Sequence, residues 1–311
     1  MKVGATALVA PAQDLARDRP ASASRLAGFV ALTKPRIALM VLLTVAVGHL
    51  LGARKMGGAA PWSLLWTLIG SGLVAGGASA WNQFFERDLD SLMRRTSRRP
   101  LPSGSLSPLE ALGFGTLLTF VGVGVLVVGV NPVAAAVAIF TFLSYVFIYT
   151  PLKTKTTLNT AVGAVPGALP PVIGWAGATG QVGIEAWALF LIVFLWQFPH
   201  FLAIAWLYRK DYEQAGFKML PSVDPDGSVT ARHSLSHALA LLPVCLLPTL
   251  LGLAGGFYFV GALLVSLFYI VCAARFWFRV DEKSARRLLG ASFLHLPATL
   301  LLLVVNPPMA G

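Results

Sequence analysis

The stretch Trp81-Asn-Gln-Phe-Phe-Glu-Arg-Asp-Leu-Asp90, followed by Ser91-Leu-Met-Arg-Arg-Thr-Ser-Arg-Arg-Pro-Leu-Pro-Ser103, determines how this chain is organised. Within it, Asn82, Glu86 and Asp90 recur at every fourth residue. On a helix this spacing places them within an arc of about 80° and along about 12 Å of one face. Three oxygen-bearing side chains are therefore expected to point in the same direction.

Four arginines follow the oxygen-bearing triplet directly: Arg94, Arg95, Arg98 and Arg99. Grouped oxygen ligands beside guanidinium groups suit a Mg²⁺ ion that is shared with a phosphate-bearing substrate. An ordinary charged loop at a membrane surface, with Asn82 and Glu86 only solvating a helix end, would have the same composition. The spacing alone leaves both interpretations open.

The composition excludes a soluble protein of one or two domains. Of 311 residues, 56% are hydrophobic and 12% are charged, and the mean hydropathy is +0.74. The sequence also contains apolar runs that are long enough to cross about 30 Å of hydrocarbon. These runs predict an all-α polytopic membrane protein with about nine transmembrane helices around a central cavity. The predicted spans are 28–52, 61–85, 109–130, 132–150, 158–178, 184–207, 236–255, 257–279 and 287–306.

The net charge of +11 reflects membrane orientation rather than nucleic-acid binding. If the amino terminus is cytoplasmic, 22 of the 24 Lys and Arg residues lie on the cytoplasmic side, and only Arg54 and Lys55 lie outside. This distribution follows the positive-inside rule and predicts an external carboxyl terminus, in a bacterial inner membrane. Residues 1–26 lack an apolar core and are expected to form a disordered cytoplasmic tail, so that 27–311 form the membrane domain.

The fifth and sixth predicted spans carry unusual residues for a membrane interior. The fifth contains six helix breakers, which indicates either that it lines a cavity or that it is a kinked packing helix. The sixth carries His200 eleven residues before Asp211. On one regular helix these two share a face within about 20°, with His200 about 16 Å deeper. His200 could contact a bulky apolar substrate, or it could be a core histidine with an ordinary hydrogen bond.

Several motifs together resemble one family. They are Asn82-xxx-Glu86-xxx-Asp90, Met93-Arg-Arg-Thr96, Arg99-Pro-Leu101, Leu152-Lys153, Thr156-xx-Asn159, Pro166-Gly-Ala168, Pro170-Pro171, Gly174-Trp175, Pro199-His-Phe201, Asp211-Tyr-xx-Ala-Gly216 and Met219-Leu-Pro221. The chain resembles the protoheme IX farnesyltransferases, or heme O synthases, among the UbiA-type intramembrane prenyltransferases. The motifs extend from about Thr33 to Pro221.

This resemblance implies a Mg²⁺-dependent transfer of the farnesyl group of farnesyl diphosphate to a vinyl group of heme B, giving heme O. By position, Asn82, Glu86 and Asp90 would hold the metal and the diphosphate, and Asp211 would belong to a second acidic site. The remaining predicted substrate contacts are Arg94, Arg98, Lys153, Asn159, His200, Tyr208 and Arg209.

Two departures from the family pattern affect individual residues. The wider superfamily often has a second Asp-xxx-Asp, but here Ala215 stands four residues after Asp211, so Tyr208 or Glu213 would have to complete that site. A basic residue usually follows the position of Lys153, and this chain has Thr154 there.

Two other functions are compatible with parts of the pattern. A related prenyltransferase acting on an aromatic acid or quinone precursor would share the metal site but not the Pro199-His-Phe201 motif. A secondary transporter would also contain broken helices and intramembrane polar groups. It would not need a metal site beside arginines at one membrane face.

Overall fold

The structure is a computed structural model that describes residues 25–308. Residues 1–24 of the predicted disordered tail therefore lie outside the described residues. The first helix already begins at Arg25, so the last two residues of the predicted tail are helical.

The described chain is helical throughout its membrane region. The helices are α1 (Arg25–Leu32), α2 (Pro35–Lys55), α3 (Pro61–Ser91), α4 (Pro108–Gly129), α5 (Pro132–Leu143), α6 (Thr150–Leu152), α7 (Asn159–Ala168), α8 (Pro170–Thr179), α9 (Ile184–Leu207), α10 (Arg209–Gln214), α11 (Ser228–Leu250), α12 (Gly256–Arg279) and α13 (Glu282–Val305). A π-helical turn, Ser144–Tyr149, joins α5 to α6.

Within residues 25–308, nine segments are long and apolar enough to cross a membrane, and the all-α prediction is confirmed. Seven are single helices, and five of these, the second, third, sixth, eighth and ninth spans, match the predicted spans closely or extend them by up to six residues at one end. The fourth, Pro132–Leu152, combines α5, the π-helical turn and α6, and the fifth, Asn159–Thr179, combines α7 and α8. The seventh begins at Ser228, eight residues before its predicted start.

The predicted first span, 28–52, has the wrong start. A break at Lys34 separates α1 from α2, which begins at Pro35. Proline has no backbone N–H to continue a helix, but it suits the first turn of the next one. The same rule places Pro61 at the start of α3, whose last turn extends to Ser91 and so includes the oxygen-bearing triplet.

Glycines bring the helix backbones into direct contact at two crossings. A Cβ on Gly77 of α3 would lie 2.6 Å from the carbonyl oxygen of Gly115 on α4. A Cβ on Gly174 of α8 would lie 1.9 Å from the carbonyl oxygen of Val45 on α2. Close approach at small residues is how helices associate inside a bilayer, where lipid removes the hydrophobic drive between them.

The breaks in the fifth span serve this packing. The break at Leu169 separates α7, which packs on α9, from α8, which packs on α2. No residue of 159–179 lines the polar cavity described below. With respect to that polar cavity, this segment is a packing element and does not contribute to the lining.

Candidate active site

A polar cavity of about 110 Å³ lies at one end of the helix bundle. It is lined by Lys34, Asn82, Glu86, Asp90, Met93, Arg95, Thr96, Arg99, Tyr145, Tyr149, Lys153, Tyr212, Phe217 and Met219. Sites for drug-sized ligands usually occupy at least about 300 Å³. The enclosed space therefore matches a charged head group rather than a whole lipid-like substrate.

The four-residue spacing on α3 places Asn82, Glu86 and Asp90 together in this cavity. All three side chains are buried, with exposed fractions of 1%, 5% and 1%. The Asn82 Oδ1 atom accepts a hydrogen bond of 3.0 Å from Lys34 Nζ, and Asn82 Nδ2 donates one of 3.2 Å to Thr150 Oγ1. The amide is thus held in one orientation by α6 and by the break before α2.

Glu86 forms a buried ion pair with Lys153. The Lys153 Nζ atom lies 2.6 Å from Glu86 Oε1 and 4.7 Å from the centre of the Tyr149 ring. Burial by itself lowers the pKa of Lys153, but the Glu86 carboxylate and the neighbouring tyrosine hydroxyls outweigh it and raise the pKa above its ordinary value. Lys153 is therefore a fixed positive charge in the cavity.

Asp90 is held at the last turn of α3 by the loop that follows. Arg99 donates a hydrogen bond of 2.6 Å to Asp90 Oδ2, and the Thr96 hydroxyl donates one of 2.8 Å to the Asp90 carbonyl, which also accepts from the Met93 N–H at 3.4 Å. Asp90 Oδ1 is buried and accepts no hydrogen bond from the described residues. An unsatisfied carboxylate oxygen facing a cavity is a ready acceptor for a cation.

The loop after α3 selects which arginines face the cavity. Turns at Met93 and Thr96 direct Arg95 and Arg99 inward, and Arg95 donates a hydrogen bond of 3.2 Å to the Tyr212 hydroxyl. The predicted contacts Arg94 and Arg98 are exposed and do not line the cavity. Because both pairs have the same spacing of four residues, spacing alone could not have distinguished them.

Lys34 reaches the cavity because of an unusual backbone conformation. Its φ of 48° and ψ of 63° lie in the left-handed region, which costs a residue with a Cβ roughly 1–2 kcal/mol. The carbonyl of Leu32, at the end of α1, accepts a buried hydrogen bond of 2.8 Å from Gln83, which ties this break to α3. Burial, with a smaller contribution from Arg99, lowers the pKa of Lys34 to about 7. A lysine just before a membrane span would ordinarily act as a surface anchor, but here Lys34 lines the cavity.

Two tyrosines form the wall opposite α3. Tyr145 and Tyr149 lie in the π-helical turn, and their ring centres are 5.4 Å apart. Pro151 cannot donate the hydrogen bond that would continue a regular α-helix, which explains a wider turn just before it. Such turns often occur at functional sites.

The loop after α10 covers the cavity, and Asn159 holds that loop in place. Asn159 is fully buried, and its Nδ2 donates to the carbonyls of Thr156, at 2.6 Å, and Lys218, at 2.8 Å. The Lys218 N–H in turn donates to the Lys153 carbonyl at 2.7 Å. Asn159 does not line the cavity itself, so its placement supports a role in positioning Phe217, which does.

The second acidic site is not assembled in this structure. The helix α9 ends at Leu207, and Tyr208 separates it from α10, so the expected shared helical face of His200 and Asp211 is wrong. Asp211 and Arg209 do not line the cavity. Arg209 instead stacks over the Trp206 ring at 4.3 Å.

Tyr208 contributes to the cavity through a neighbour rather than directly. It does not line the cavity, but its ring lies 5.1 Å from the Arg95 guanidinium carbon. The Tyr208 ring therefore adds a cation–π contact to the hydrogen bond that Arg95 makes with Tyr212.

His200 packs between α9 and α13, away from the polar cavity. Its Nδ1 atom lies 2.7 Å from Ser292 Oγ, and its ring stacks on Trp196 at 4.8 Å and meets the edge of Phe293 at 5.2 Å. These contacts match those of a core histidine with a satisfied hydrogen bond. Trp196 likewise donates to the Ser292 carbonyl rather than lining the cavity.

The donor set of the cavity fits a magnesium ion that is shared with a substrate. Within residues 25–308, no three His, Cys, Asp or Glu side chains form a self-sufficient metal site. Mg²⁺, however, commonly binds through one or two carboxylates and completes its shell with water and substrate phosphate. Glu86 and Asp90, with the Asn82 amide, supply such a partial set, and the free Asp90 Oδ1 provides one acceptor.

The cavity is electropositive overall. Four basic side chains face two carboxylates: Arg95, Arg99 and Lys153 are cations, and Lys34, whose pKa is lowered to about 7, is only partly protonated at neutral pH. The basic side chains therefore attract an anion. The two carboxylates repel it unless a bound cation neutralises their charge. This arrangement suits a polyanionic group bound together with a divalent metal.

Comparisons with known proteins point to one family. Residues 41–296 match the model of the UbiA prenyltransferase family. The chain is 45% identical over 290 residues to the protoheme IX farnesyltransferase of Solibacter usitatus. This match covers 90% of this chain and 98% of that protein.

Solved structures show the same fold. A structure of digeranylgeranylglyceryl phosphate synthase superposes with a TM-score of 0.74 at 18% identity, covering 91% of this chain and 98% of that one. A UbiA homologue from Archaeoglobus fulgidus, bound to GPP and Mg²⁺, superposes with a TM-score of 0.62 at 15% identity, covering 89% and 100%.

Proposed function

The chain belongs to the UbiA prenyltransferase family, and from this premise we propose that it transfers the farnesyl group of farnesyl diphosphate to a vinyl group of heme B, giving heme O. The choice of heme B follows the names of relatives such as the Solibacter enzyme, which matches nearly its full length. Residues 27–311 would form the single prenyltransferase domain.

The observation that carries this proposal is the joining of the oxygen-bearing triplet and four basic side chains in one cavity. A diphosphate leaving group carries several negative charges that must be neutralised as its bond to the allylic carbon breaks. The basic side chains of the cavity can neutralise the diphosphate directly. The two carboxylates can hold a metal ion that neutralises it further. A transporter has no need for this combination at one end of the bundle.

We propose that Asn82, Glu86 and Asp90 hold Mg²⁺, as the donor set of the cavity suggests and as the Mg²⁺-bound Archaeoglobus homologue supports. When bound, the ion supplies Lewis-acid neutralisation of the diphosphate oxygens. A metal held by Glu86 would compete with Lys153 for this carboxylate and would weaken the ion pair. The Lys153 ammonium group would then be available to bind the diphosphate.

The cationic side chains of the chain bind and orient the diphosphate. Arg99 and Arg95 offer planar donors that suit phosphate oxygens, while Lys153 and Lys34 offer compact charges from the other side. Tyr212 holds Arg95, and Asp90 holds Arg99, so both guanidinium groups are positioned in advance. Preorganised charges of this kind act without reorganisation during the reaction.

Exclusion of water is the task of the covering loop. Phe217 and Met219 close the cavity from the loop that Asn159 anchors, and Tyr145 and Tyr149 close it from the π-helical turn between α5 and α6. An allylic cation formed by loss of diphosphate would otherwise react with water before the vinyl group attacks. Tyrosine rings also stabilise nearby positive charge. Water adds only after the new carbon–carbon bond forms, and it supplies the hydroxyl of heme O.

The chain is a multi-pass membrane protein, and we propose a bacterial inner membrane with the amino terminus in the cytoplasm. In this orientation the cavity opens on the side that carries 22 of the 24 Lys and Arg residues. Farnesyl diphosphate, made in the cytoplasm, would then reach its head-group site directly.

An assay with two acceptors tests this proposal. The purified full-length protein is incubated with farnesyl diphosphate and Mg²⁺, and with either heme B or 4-hydroxybenzoate, and the products are identified by mass spectrometry. We expect farnesylated, hydroxylated heme from the first acceptor and no product from the second. Prenylated 4-hydroxybenzoate without any heme O would replace this function with that of a related aromatic prenyltransferase.

A further inference from the structure

A second polar cavity, of about 240 Å³, lies at the turn between α12 and α13. It is lined by Arg275, Arg279, Asp281, Lys283, Ser284 and Arg287, none of which lines the candidate active site. The turn touches the end of the loop that follows α10, because a Cβ on Gly227 would lie 2.4 Å from the side chain of Val280. Both cavities are therefore at the same end of the bundle.

The four cations of this cavity come in two helical pairs. Arg275 and Arg279 are one turn apart on α12, and Lys283 and Arg287 are one turn apart on α13. Within residues 25–308, none of the four forms an ion pair with a carboxylate. Like charges gathered without a partner repel each other, so the arrangement favours an anionic ligand.

The one carboxylate of the cavity is already engaged. Asp281 Oδ1 accepts a hydrogen bond of 2.6 Å from the Ser284 N–H and caps α13, and this bond lowers the pKa of Asp281. The cavity therefore carries a net charge of about +3 at neutral pH, from four cations and one carboxylate. The positive end of the α13 dipole is opposed by the negative end of the α12 dipole, so the side chains determine this charge.

The turn that forms the cavity is tightly defined. Val280 has a φ of 43°, a left-handed conformation that is rare for a β-branched residue, and its N–H donates to the Phe276 carbonyl at 2.8 Å. This turn brings the end of α12 directly against the start of α13. The two cationic pairs consequently converge on one space.

The cavity lies at the level of a membrane surface. Both helices are predicted to cross the bilayer and meet at this turn, and Trp277 and Phe278 beside it are 44% and 75% exposed. Exposed aromatic residues at the end of membrane helices are typical of the interface, where lipid head groups meet the acyl region. If the ligand of this cavity were a lipid, its acyl chains would lie within reach of these rings.

We propose that the cavity between α12 and α13 binds the phosphate of an anionic phospholipid head group. Basic pockets between membrane helices on the cytoplasmic side are suited to such head groups, and bidentate arginines match phosphate oxygens. The neighbouring exposed aromatic side chains favour a lipid over free phosphate, because they add contact with the acyl region. The bound lipid would join α12 to α13 by bridging their cationic pairs.

A lipid titration of the purified full-length protein tests this site. Thermal unfolding is followed in a neutral detergent while short-chain phosphatidylglycerol, phosphatidylcholine or inorganic phosphate is added. The variant Arg279→Gln/Arg287→Gln removes one cation from each helix. The matched control is Arg286→Gln, since Arg286 lies in the same turn of α13 but pairs with Glu282 outside the cavity.

We expect phosphatidylglycerol to stabilise the wild type and the control at the same concentration, and the double variant to need on the order of 30-fold more lipid. Retained farnesyl transfer by the double variant in micelles shows that it is folded. If it does not fold, the single change Lys283→Gln is used, with an expected loss of about fivefold.

Three results would overturn the proposal. The first is an unchanged phosphatidylglycerol titration in the variants. The second is equal stabilisation by inorganic phosphate and by lipid at the same concentration. The third is a raised KM for heme in the variants with unaltered lipid titration, which would assign the cations to the acceptor substrate instead.

Discussion

Replacing Lys153 with methionine tests the role assigned to the Glu86–Lys153 ion pair. Methionine keeps most of the volume and length of the lysine stem but removes the charge. The pair has a separation of 2.6 Å, and the side chains of Lys153 and Glu86 are only 15% and 7% exposed. The change therefore leaves a buried carboxylate without its partner. Lys155→Met is the matched control, because Lys155 lies two residues away and is exposed.

The magnitude follows from burial. Breaking a buried ion pair from one side costs about 3–5 kcal/mol, and the small residual exposure of this pair favours the lower value, about 3 kcal/mol. At roughly 2 °C per kcal/mol for a large chain, the metal-free variant should unfold about 6 °C below the wild type. The loss of one charge that stabilises the departing diphosphate should lower kcat by about 100- to 1000-fold.

Magnesium provides the distinguishing readout. Because Lys153 no longer competes for Glu86, the variant should gain more thermal stability from Mg²⁺ than the wild type does, and at lower concentration. The assay combines thermal unfolding with and without Mg²⁺ and steady-state farnesyl transfer to heme B. A double-mutant cycle with Glu86→Gln then isolates the energy of the pair from the effects of each change.

The reasoning is refuted if Lys153→Met behaves like Lys155→Met. Equal melting temperatures would show that the ion pair contributes nothing to the metal-free protein. Equal turnover would show that Lys153 does not act on the diphosphate. Loss of stability without any change in the Mg²⁺ response would show that Glu86 does not bind the metal.

Three further predictions follow from individual contacts. Arg99→Gln should reduce kcat at least 100-fold and destabilise the metal-free protein, because the change leaves buried Asp90 without its partner. Arg98→Gln should change kcat and stability by little, because Arg98 is exposed. Steady-state kinetics and melting curves compare the two variants. Gly163→Ala should cost about 1–3 kcal/mol and lower activity, because the new Cβ would lie 2.4 Å from the Tyr149 ring; melting and turnover measure this. His200→Ala should lower the melting temperature while the KM for heme stays within about twofold, since a 1.4 kcal/mol contact would change it tenfold.

Controls make two of these results decisive. Gly113→Ala adds a methyl group where no atom lies within 4 Å, so it should leave the melting temperature within about 1 °C of the wild type. Equal effects of the two glycine changes would contradict the role of Tyr149 as a packed cavity wall. A tenfold rise in the KM for heme in His200→Ala would return that histidine to the acceptor site.

The membrane architecture was predictable because it depends on local composition. Apolar runs, with a proline at the start of four of the nine spans of the described residues, determine where a helix can cross the bilayer, so most span ends follow from the sequence within a few residues. The grouping of Asn82, Glu86 and Asp90 also depends only on the period of one helix. Each of these features is set by residues close together in the chain.

The cationic half of the site depends on tertiary structure and was only partly predictable. The loop after α3 turns at Met93 and Thr96, which directs Arg95 and Arg99 inward instead of Arg94 and Arg98. The left-handed backbone of Lys34 had no signal beyond the proline that follows it. Lys153 was anticipated from its motif, but its pairing with Glu86 was not.

The helix break after Leu207 explains why His200 and Asp211 were related incorrectly. Counting residues on a regular helix assumes that the helix continues, and the backbone of Tyr208, with a φ of −112° and ψ of 20°, ends it. Whether His200 faces a substrate or a neighbouring helix is decided by packing against α13, through Ser292. Sequence periodicity within α9 carries no information on that partner.

The central claim is that the cavity on α3 is the diphosphate site of a farnesyl transfer to heme B. The most direct measurement is the rate of heme O formation by purified Asp90→Asn, compared with the wild type, with a melting curve to establish folding. Asparagine keeps the shape of Asp90 but removes the charge that would bind the metal. We predict folded protein with heme O formation reduced at least 100-fold. A folded Asp90→Asn variant that forms heme O at the wild-type rate would contradict the account.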